Sequence, residues 1–135
     1  MKLTTMRFSK SKSPKKLVLL VDDANVMCRL VSSILGNEYD VQACRSAVEA
    51  IQWLADSKKI PDVVVSDIAM SGMSGIEFGQ FLSINSLYGE IPLIYMSGKS
   101  EDELRSELNS VKYSGYTQKP FNPDHLLSTI AEVTN

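Results

Sequence analysis

The chain has 135 residues, of which 44% are hydrophobic and 22% charged, with a formal net charge of −2. This length can bury the core of one domain without disulfides, and the composition excludes a disordered or fibrous chain. The longest apolar run, Leu17–Val21, is too short for the core of a signal peptide (about 7–15 residues) or for a membrane helix (about 20). We therefore expect one globular domain in the cytoplasm, with Cys28 and Cys44 as reduced thiols.

Charge is unevenly distributed along the chain. Residues 1–16 hold six basic and no acidic side chains, whereas the remainder holds 8 basic and 16 acidic ones. A basic start of this kind can bind anionic partners, but it has neither helical amphipathicity nor interleaved aromatic residues. We therefore predict a solvated, flexible arm over residues 1–15 and a folded domain over 16–135, with no nucleic acid partner and no membrane insertion.

From Leu17 onward, apolar runs alternate with segments of helical spacing. The predicted strands are 17–21, 39–43, 62–66, 91–96 and 114–117, and the predicted helices are 25–35, 46–57, 75–87, 100–111 and a last helix opened by Asn122 as N-cap and Pro123. Because parallel strands need helical crossovers, five such repeats predict an α/β fold in which five helices flank a five-stranded parallel sheet.

Polar residues follow four of the predicted strands. Asp22 and Asp23 follow the first, Asp67 the third, Ser97 the fourth and Lys119 the fifth. Sites in open parallel sheets form beyond the carboxyl ends of the strands, so these side chains should converge. Three carboxylates repel one another unless a cation neutralises them, and Mg²⁺ prefers oxygen ligands. The pattern predicts Mg²⁺-dependent phosphoryl chemistry with Asp67 as the nucleophile.

Each of these residues also has a simpler interpretation when it is taken alone. Asp22-Asp23 could be a helix N-cap, and Ser97-Gly98 could be an ordinary turn. Lys119 could be a solvated surface lysine. Their joint placement at one edge of the predicted sheet favours a functional site.

The order and spacing of these residues resemble the receiver domain of two-component response regulators, in its single-domain, chemotaxis-regulator-like form. The resemblance spans about residues 16–135. It is carried by Asp22-Asp23, the segment Asp67-Ile68-Ala69-Met70-Ser71-Gly72-Met73-Ser74-Gly75, Ser97-Gly98 and Lys119-Pro120. It implies the flavodoxin-like (βα)5 fold with strand order 2-1-3-4-5.

The resemblance implies a phospho-accepting role in two-component phosphorelay signalling. Asp67 would take a phosphoryl group from a phosphohistidine on a sensor histidine kinase or a histidine phosphotransfer protein. The residue chemistry makes Asp23 and Asp67 the expected direct ligands of Mg²⁺, with Asp22 bound directly or through a water. The resemblance adds the backbone carbonyl of Ala69 as a further ligand. The chain would not be an enzyme beyond self-catalysed transfer to Asp67 and slow autodephosphorylation.

Three further residues would transmit the phosphorylated state. Lys119 would place its charge on the phosphoryl oxygens, and Ser97 would donate its hydroxyl after an inward shift. In the family this shift is linked to an aromatic residue on the fifth strand, here Tyr116. The resemblance implies a switch surface on the fourth helix, fifth strand and fifth helix, where a downstream protein target would bind.

The chain also departs from the family pattern beside the predicted nucleophile. The residue after Met70 is usually proline in the family and is Ser71 here, so we expect a more mobile loop. The resemblance further implies a cis peptide bond before Pro120.

Other functional classes fit the sequence less well. A haloacid dehalogenase would place its nucleophile after the first strand in an Asp-x-Asp pattern, whereas Asp22 is followed by Asp23 and Ala24. A flavin-binding protein would need a phosphate cradle at that position, and two aspartates would repel the phosphate. The remaining alternative is a receiver-like scaffold or interaction module that works without phosphorylation.

Overall fold

The computed structural model describes residues 14–135, so the predicted arm lies almost entirely outside the described part. The strands are β1 Lys16–Val21, β2 Tyr39–Cys44, β3 Val63–Asp67, β4 Leu93–Ser97 and β5 Gly115–Gln118. The helices are α1 Asn25–Leu35, α2 Ala47–Ser57, α3 Gly75–Ile84, α4 Arg105–Leu108 and α5 Pro123–Thr134. The strands form one parallel sheet in the order β2-β1-β3-β4-β5, which confirms the predicted fold.

The sheet is buried on both faces, as its apolar strands require. Leu19 and Val21 of β1 pack in a cluster with residues of α2, α3 and α4, whereas Val18 and Leu20 pack with residues of α1 and α5. This split follows from the alternation of side chains along a strand. All four side chains are fully buried. The two clusters hold β1, β3 and β4 in place, so the ends of these strands are fixed in position.

Side-chain caps start several helices where the sequence places them. Asn122 accepts hydrogen bonds from the N–H groups of Asp124 and His125, with Pro123 at the first helical position, which confirms the predicted start of α5. Ser74 opens α3 with a capping box, in which Ser74 and Glu77 each bind the other's backbone N–H. Such caps stabilise a helix start by about 1 kcal/mol and fix the entry of the chain.

The fourth helix is much shorter than the predicted 100–111. Ser100 and Glu103 exchange the two hydrogen bonds of a capping box. The N–H of Leu104 then bonds to the carbonyl of Glu101, a three-residue spacing that closes turns instead of an α-helix. The Tyr113 hydroxyl, from the loop before β5, donates a hydrogen bond to the carboxylate of Glu101. A tertiary contact at the first turn therefore accompanies the shortening of α4 to Arg105–Leu108.

The third helix also ends earlier than predicted, at Ile84 instead of Leu87. Asn85 leaves the helical conformation, and its side-chain oxygen accepts the N–H of Leu87 at 2.8 Å. Its carbonyl accepts the N–H of Tyr88 at 3.3 Å. The early end of α3 follows from the tendency of asparagine to bond to the backbone two residues on and to form a turn.

Three further features bear on the sequence predictions. Within residues 14–135, every helix falls short of the length and hydrophobicity that crossing a bilayer requires. Cys28 and Cys44 are both buried free thiols, and burial raises the pKa of Cys44 to about 11. The peptide bond between Lys119 and Pro120 is cis, as expected.

Candidate functional site

Three carboxylates meet at the C-terminal edge of the sheet. Asp22 and Asp23 follow β1, and Asp67 is the last residue of β3, which pairs with β1. One oxygen from each carboxylate lies within 4.8 Å of the others. Asp22 is fully buried and Asp67 is only 7% exposed, whereas Asp23 is more accessible. Carboxylate oxygens at this spacing can hold a hard divalent cation.

Lys119 forms ion pairs with two of these acids. Its Nζ lies 3.2 Å from Oδ2 of Asp22 and 3.2 Å from Oδ1 of Asp67. The backbone places it there, because the N–H of Lys119 donates to the carbonyl of Ser97 at 2.7 Å. Three negative charges therefore face one positive charge, and the site retains an excess of negative charge that a cation would neutralise.

The protonation of the site follows from burial and charge. Burial raises the pKa of Asp67, and the charge of Asp22 raises it further, against the opposing effect of Lys119. Burial acts against the charge of Lys119, but Asp67 and Asp22 together outweigh it, so the pKa of Lys119 is raised. The two shifts have different main causes: burial dominates for Asp67, and the two neighbouring carboxylates dominate for Lys119.

Backbone N–H groups hold each carboxylate in position. The N–H of Ala24 donates to Oδ1 of Asp22 at 2.9 Å, and the N–H of Ile68 donates to Oδ1 of Asp67 at 3.0 Å. Asp23 Oδ2 accepts the N–H of Ser71 at 3.0 Å. The N-cap of α1 is Ala24 and not the acidic pair, so the simple capping interpretation of Asp22-Asp23 is wrong.

The β3–α3 loop returns closely onto the end of β3. The N–H of Gly75 donates to the carbonyl of Ile68 at 2.8 Å, and the Tyr95 hydroxyl donates to the carbonyl of Gly75 at 2.7 Å. A Cβ at residue 75 would lie 2.1 Å from the carbonyl oxygen of Asp67. Only glycine allows this approach, which fixes the loop beside the carboxylates.

The two predicted switch residues both contact Lys99. Ser97 is the last residue of β4 and is 5% exposed, and its Oγ accepts the N–H of Lys99 at 3.0 Å. Tyr116 lies on β5, and its hydroxyl donates to the carbonyl of Lys99 at 2.7 Å. The backbone of Lys99, just after β4, is therefore hydrogen-bonded to the side chains of both Ser97 and Tyr116.

The structure thus places the predicted site residues at one edge of the sheet. Ala69 is exposed in the β3–α3 loop, two residues after Asp67. Its carbonyl as a metal ligand stays a prediction, as do the roles of Asp67, Ser97 and Tyr116. The geometry offers a buried carboxylate with a lysine beside it and two further carboxylates that can help to hold a cation. This arrangement suits the charge neutralisation that phosphoryl transfer needs.

A family model described as the response regulator receiver domain matches residues 18–131. The chain belongs to the receiver domain family. It is a receiver domain of two-component phosphorelay signalling, in which receivers accept phosphoryl groups and are in the main not enzymes.

Solved structures agree with this assignment. The chemotaxis response regulator CheY4 of Vibrio cholerae is 32% identical, with a TM-score of 0.79 over 88% of this chain and 98% of that one. A signal receiver domain of a histidine kinase from Syntrophus aciditrophicus has a TM-score of 0.80 at 22% identity, over 88% of this chain and 89% of that one, and shows the shared fold.

Curated relatives match as parts of longer proteins. Hybrid signal transduction histidine kinase D of Dictyostelium discoideum is 30% identical over 88% of this chain and 8% of its own length. The phosphate regulon transcriptional regulatory protein PhoB of Pseudomonas aeruginosa is 28% identical over 87% of this chain and 51% of its own. The chain spans about half the length of these relatives or less.

Reasoning from the sequence missed two groups that hold the site. The Ser71 N–H bonds to Asp23 in the loop that we expected to be more mobile. Gly75 packs against the carbonyl of Asp67. For the Ser71 contact, the sequence did offer a signal: residue 71 is not proline, so it has an N–H to donate. The Ser-x-x-Glu pattern from Ser74 to Glu77 marks a helix start but not the close approach of Gly75.

Proposed function

We propose that this receiver accepts a phosphoryl group on Asp67, with Mg²⁺ as the cofactor. One observation carries the proposal: Lys119 pairs with both Asp22 and Asp67, within a cluster of three carboxylates at the end of the strands. An aspartyl phosphate is a recognised covalent intermediate of enzymes, and its formation needs positioning and charge neutralisation more than acid or base catalysis.

The donor set fits Mg²⁺. Hard divalent cations take oxygen ligands, and Mg²⁺ is usually held by one or two carboxylates, waters and a substrate phosphate. The proposed ligands are the carboxylates of Asp22, Asp23 and Asp67 and the backbone carbonyl of Ala69. When bound, the ion would supply positive charge to the phosphoryl oxygens.

The proposed transfer is a direct displacement. A carboxylate oxygen of Asp67 attacks the phosphorus of a phosphohistidine, so that an O–P bond forms as the N–P bond breaks. The imidazole leaves with the electron pair of the broken N–P bond. It leaves as a neutral ring when its other nitrogen carries a proton, and otherwise it takes up one proton from solvent. Lys119 stays charged throughout and neutralises the phosphoryl oxygens, since the pKa of Lys119 is raised.

The phosphorylated state would be read through Ser97 and Tyr116. The Oγ of Ser97 would give up its contact with the N–H of Lys99 and form a hydrogen bond to the phosphoryl group. Because the Tyr116 hydroxyl is bonded to the carbonyl of the same Lys99, Tyr116 would respond to this change. This is a population shift of the surface formed by α4, β5 and α5. A downstream protein target would bind there.

The proposed phosphoryl donors are a sensor histidine kinase or a histidine phosphotransfer protein. Histidine kinases are among the relatives that this chain matches, including sensor kinase CckA of Brucella abortus at 30% identity over 86% of this chain. Self-catalysed transfer and slow loss of the phosphoryl group would be its only reactions. We propose a cytoplasmic location, which suits the two free thiols.

The test is incubation of the chain with acetyl phosphate or beryllofluoride, with and without Mg²⁺. We expect intact mass spectrometry to show one added phosphoryl group with acetyl phosphate, and NMR to show a beryllofluoride-dependent change, both only with Mg²⁺. Asp67→Asn should abolish both, whereas Asp40→Asn, at an exposed position of β2, should keep them. A wild type inert to both reagents, or an active Asp67→Asn, would contradict the proposal and favour a phosphorylation-independent scaffold.

A further inference from the structure

We propose that the backbone N–H of Ser71 positions the Asp23 carboxylate as a ligand of Mg²⁺. The hydrogen bond is 3.0 Å long and joins residues 48 positions apart, so it links the β1–α1 loop to the β3–α3 loop across the site. The inference rests on the proposed magnesium site and deepens it by assigning a positioning group outside the ligand set.

The three carboxylates differ in how the protein holds them. Asp22 and Asp67 are each fixed by burial, by a backbone N–H and by Lys119. Asp23 is more exposed, and Ser71 supplies the N–H that it accepts. An exposed carboxylate otherwise samples several rotamers, and ordering it costs free energy when a cation binds. Because the Ser71 contact already orders the Asp23 carboxylate, less free energy is lost when a cation binds.

The hydrogen bond is compatible with metal coordination. An ionised carboxylate has two oxygens and about four lone-pair positions, and one N–H on Oδ2 occupies a single position. Oδ1 and the remaining lone pair of Oδ2 stay available. Hydrogen bonds from outside the ligand set are how proteins orient coordinating carboxylates, and losing one typically costs 10–100-fold in affinity.

The loop that carries the Ser71 N–H is itself held at its far end. Gly75 bonds to Ile68 through its N–H and to the Tyr95 hydroxyl through its carbonyl. Between Ser71 and Gly75, Gly72 adopts a φ of +75°, which lets the chain turn back toward α3. The direction of the Ser71 N–H is therefore set by the fold of the loop and not by the serine side chain, which is exposed.

Because the donor is a backbone N–H, the contact requires only that residue 71 has one. Any residue with an N–H can make the contact, and proline alone cannot. Ser71→Ala therefore keeps the hydrogen bond, while Ser71→Pro removes it. The pair separates the role of the N–H from any role of the hydroxyl.

The experiment measures Mg²⁺ affinity directly, by isothermal titration calorimetry without any phosphodonor. We expect Ser71→Ala to bind as the wild type does and Ser71→Pro to bind about 10-fold more weakly. Because the proline ring could also distort the loop, a second variant replaces the amide at residue 71 with a backbone ester, which removes the N–H without a ring. The ester should also weaken binding.

A double-mutant cycle with Asp23→Asn tests whether the effect passes through Asp23. In that background we expect Ser71→Pro to cause little further loss, because the carboxylate it would position is gone. Equal loss in both backgrounds, or an ester variant that binds like the wild type, would overturn the inference. A wild type that binds no Mg²⁺ would instead overturn the proposed metal site.

Discussion

At the scale of single residues, Lys119 and the two buried carboxylates form one electrostatic unit. Asp22 has no solvent exposure, and the Lys119 side chain is only 19% exposed, so water screens their interaction weakly. A buried ion pair adds little net stability compared with an apolar pair, but removing one partner leaves a buried charge uncompensated. Stability at this edge and the proposed phosphoryl transfer therefore depend on the same side chains.

Replacement of Lys119 by methionine should destabilise the protein at pH 7 in the absence of Mg²⁺. We expect a loss of about 3 kcal/mol in the free energy of unfolding, because Asp22 and Asp67 would lose their shared cation. Urea denaturation measures this loss. Lys59→Met, at an exposed position of the α2–β3 loop, is the control and should change stability by less than about 0.5 kcal/mol. Similar stabilities for the two variants would show that the ion pairs are screened.

Asp67→Asn should have the opposite effect at pH 7 without Mg²⁺. Because burial and Asp22 raise the pKa of Asp67, the folded state binds its proton more tightly than the unfolded chain does. The ionised carboxylate therefore lowers stability above that raised pKa, and the penalty disappears as the pH falls through the raised pKa toward the ordinary aspartate pKa of 3.8.

The expected result is a higher melting temperature for Asp67→Asn at neutral pH, with a difference from the wild type that shrinks in acid. Thermal unfolding in the presence of a chelator, at a series of pH values, measures it. Asp40→Asn controls for the loss of an exposed carboxylate. A lower melting temperature at pH 7, or a difference independent of pH, would mean that the pairing with Lys119 outweighs burial.

At the scale of elements, the β3–α3 loop connects the packing of the core to the site. Its end is bonded to the fully buried Tyr95 of β4, and its middle reaches Asp23. The capping box of Ser74 and Glu77 then starts α3. The loop therefore transmits the rigidity of the sheet to the carboxylate cluster.

Gly75→Ala should destabilise the protein by about 2 kcal/mol or more. The added Cβ would meet backbone atoms of Asp67 and Ile68, at 2.1 Å and 2.8 Å, and backbone at the end of a buried strand yields little. Gly98→Ala is the matched control, because a Cβ there would meet nothing within 4 Å. Chemical denaturation of both variants measures the difference. Equal stabilities would show that the loop moves away from β3 easily.

At the scale of the whole molecule, stability should be unevenly distributed. Every residue of β3 and β4 is buried, whereas in the segment 101–111 only Leu104 and Leu108 are. Few buried contacts and short-range turn bonds are typical of segments that open locally at low free energy. The segment also lies directly after the two contacts of Lys99, where the switch is proposed.

Hydrogen exchange should therefore be fastest in segment 101–111 among the helical parts of residues 14–135. Helix α3 is the internal control, since it starts with the same type of capping box but continues as regular α-helix over buried Phe78 and Leu82. Mass spectrometry of peptides from the unphosphorylated protein measures the rates. Exchange in 101–111 as slow as in α3 would show that tertiary contacts stabilise the shortened helix fully.

The sequence was sufficient for the fold and for the location of the site. Continuous apolar runs identify buried strands, and helical spacing between them requires a parallel sheet. The carboxyl ends of such strands share an edge, so Asp22, Asp23 and Asp67 had to meet. These inferences need only the spacing of apolar residues along the chain and the rule that the carboxyl ends of parallel strands lie at one edge of the sheet.

What only the tertiary structure decided are contacts between segments far apart in the chain. The bond from Ser71 to Asp23, the approach of Gly75 to Asp67 and the shortening of α4 beside Tyr113 all depend on how loops pack after the sheet has formed. The spacing of apolar residues along the chain does not encode these contacts, because each involves backbone groups whose direction is set by a distant segment. The sequence alone thus determined which residues gather at the site, and packing determined how each is held there.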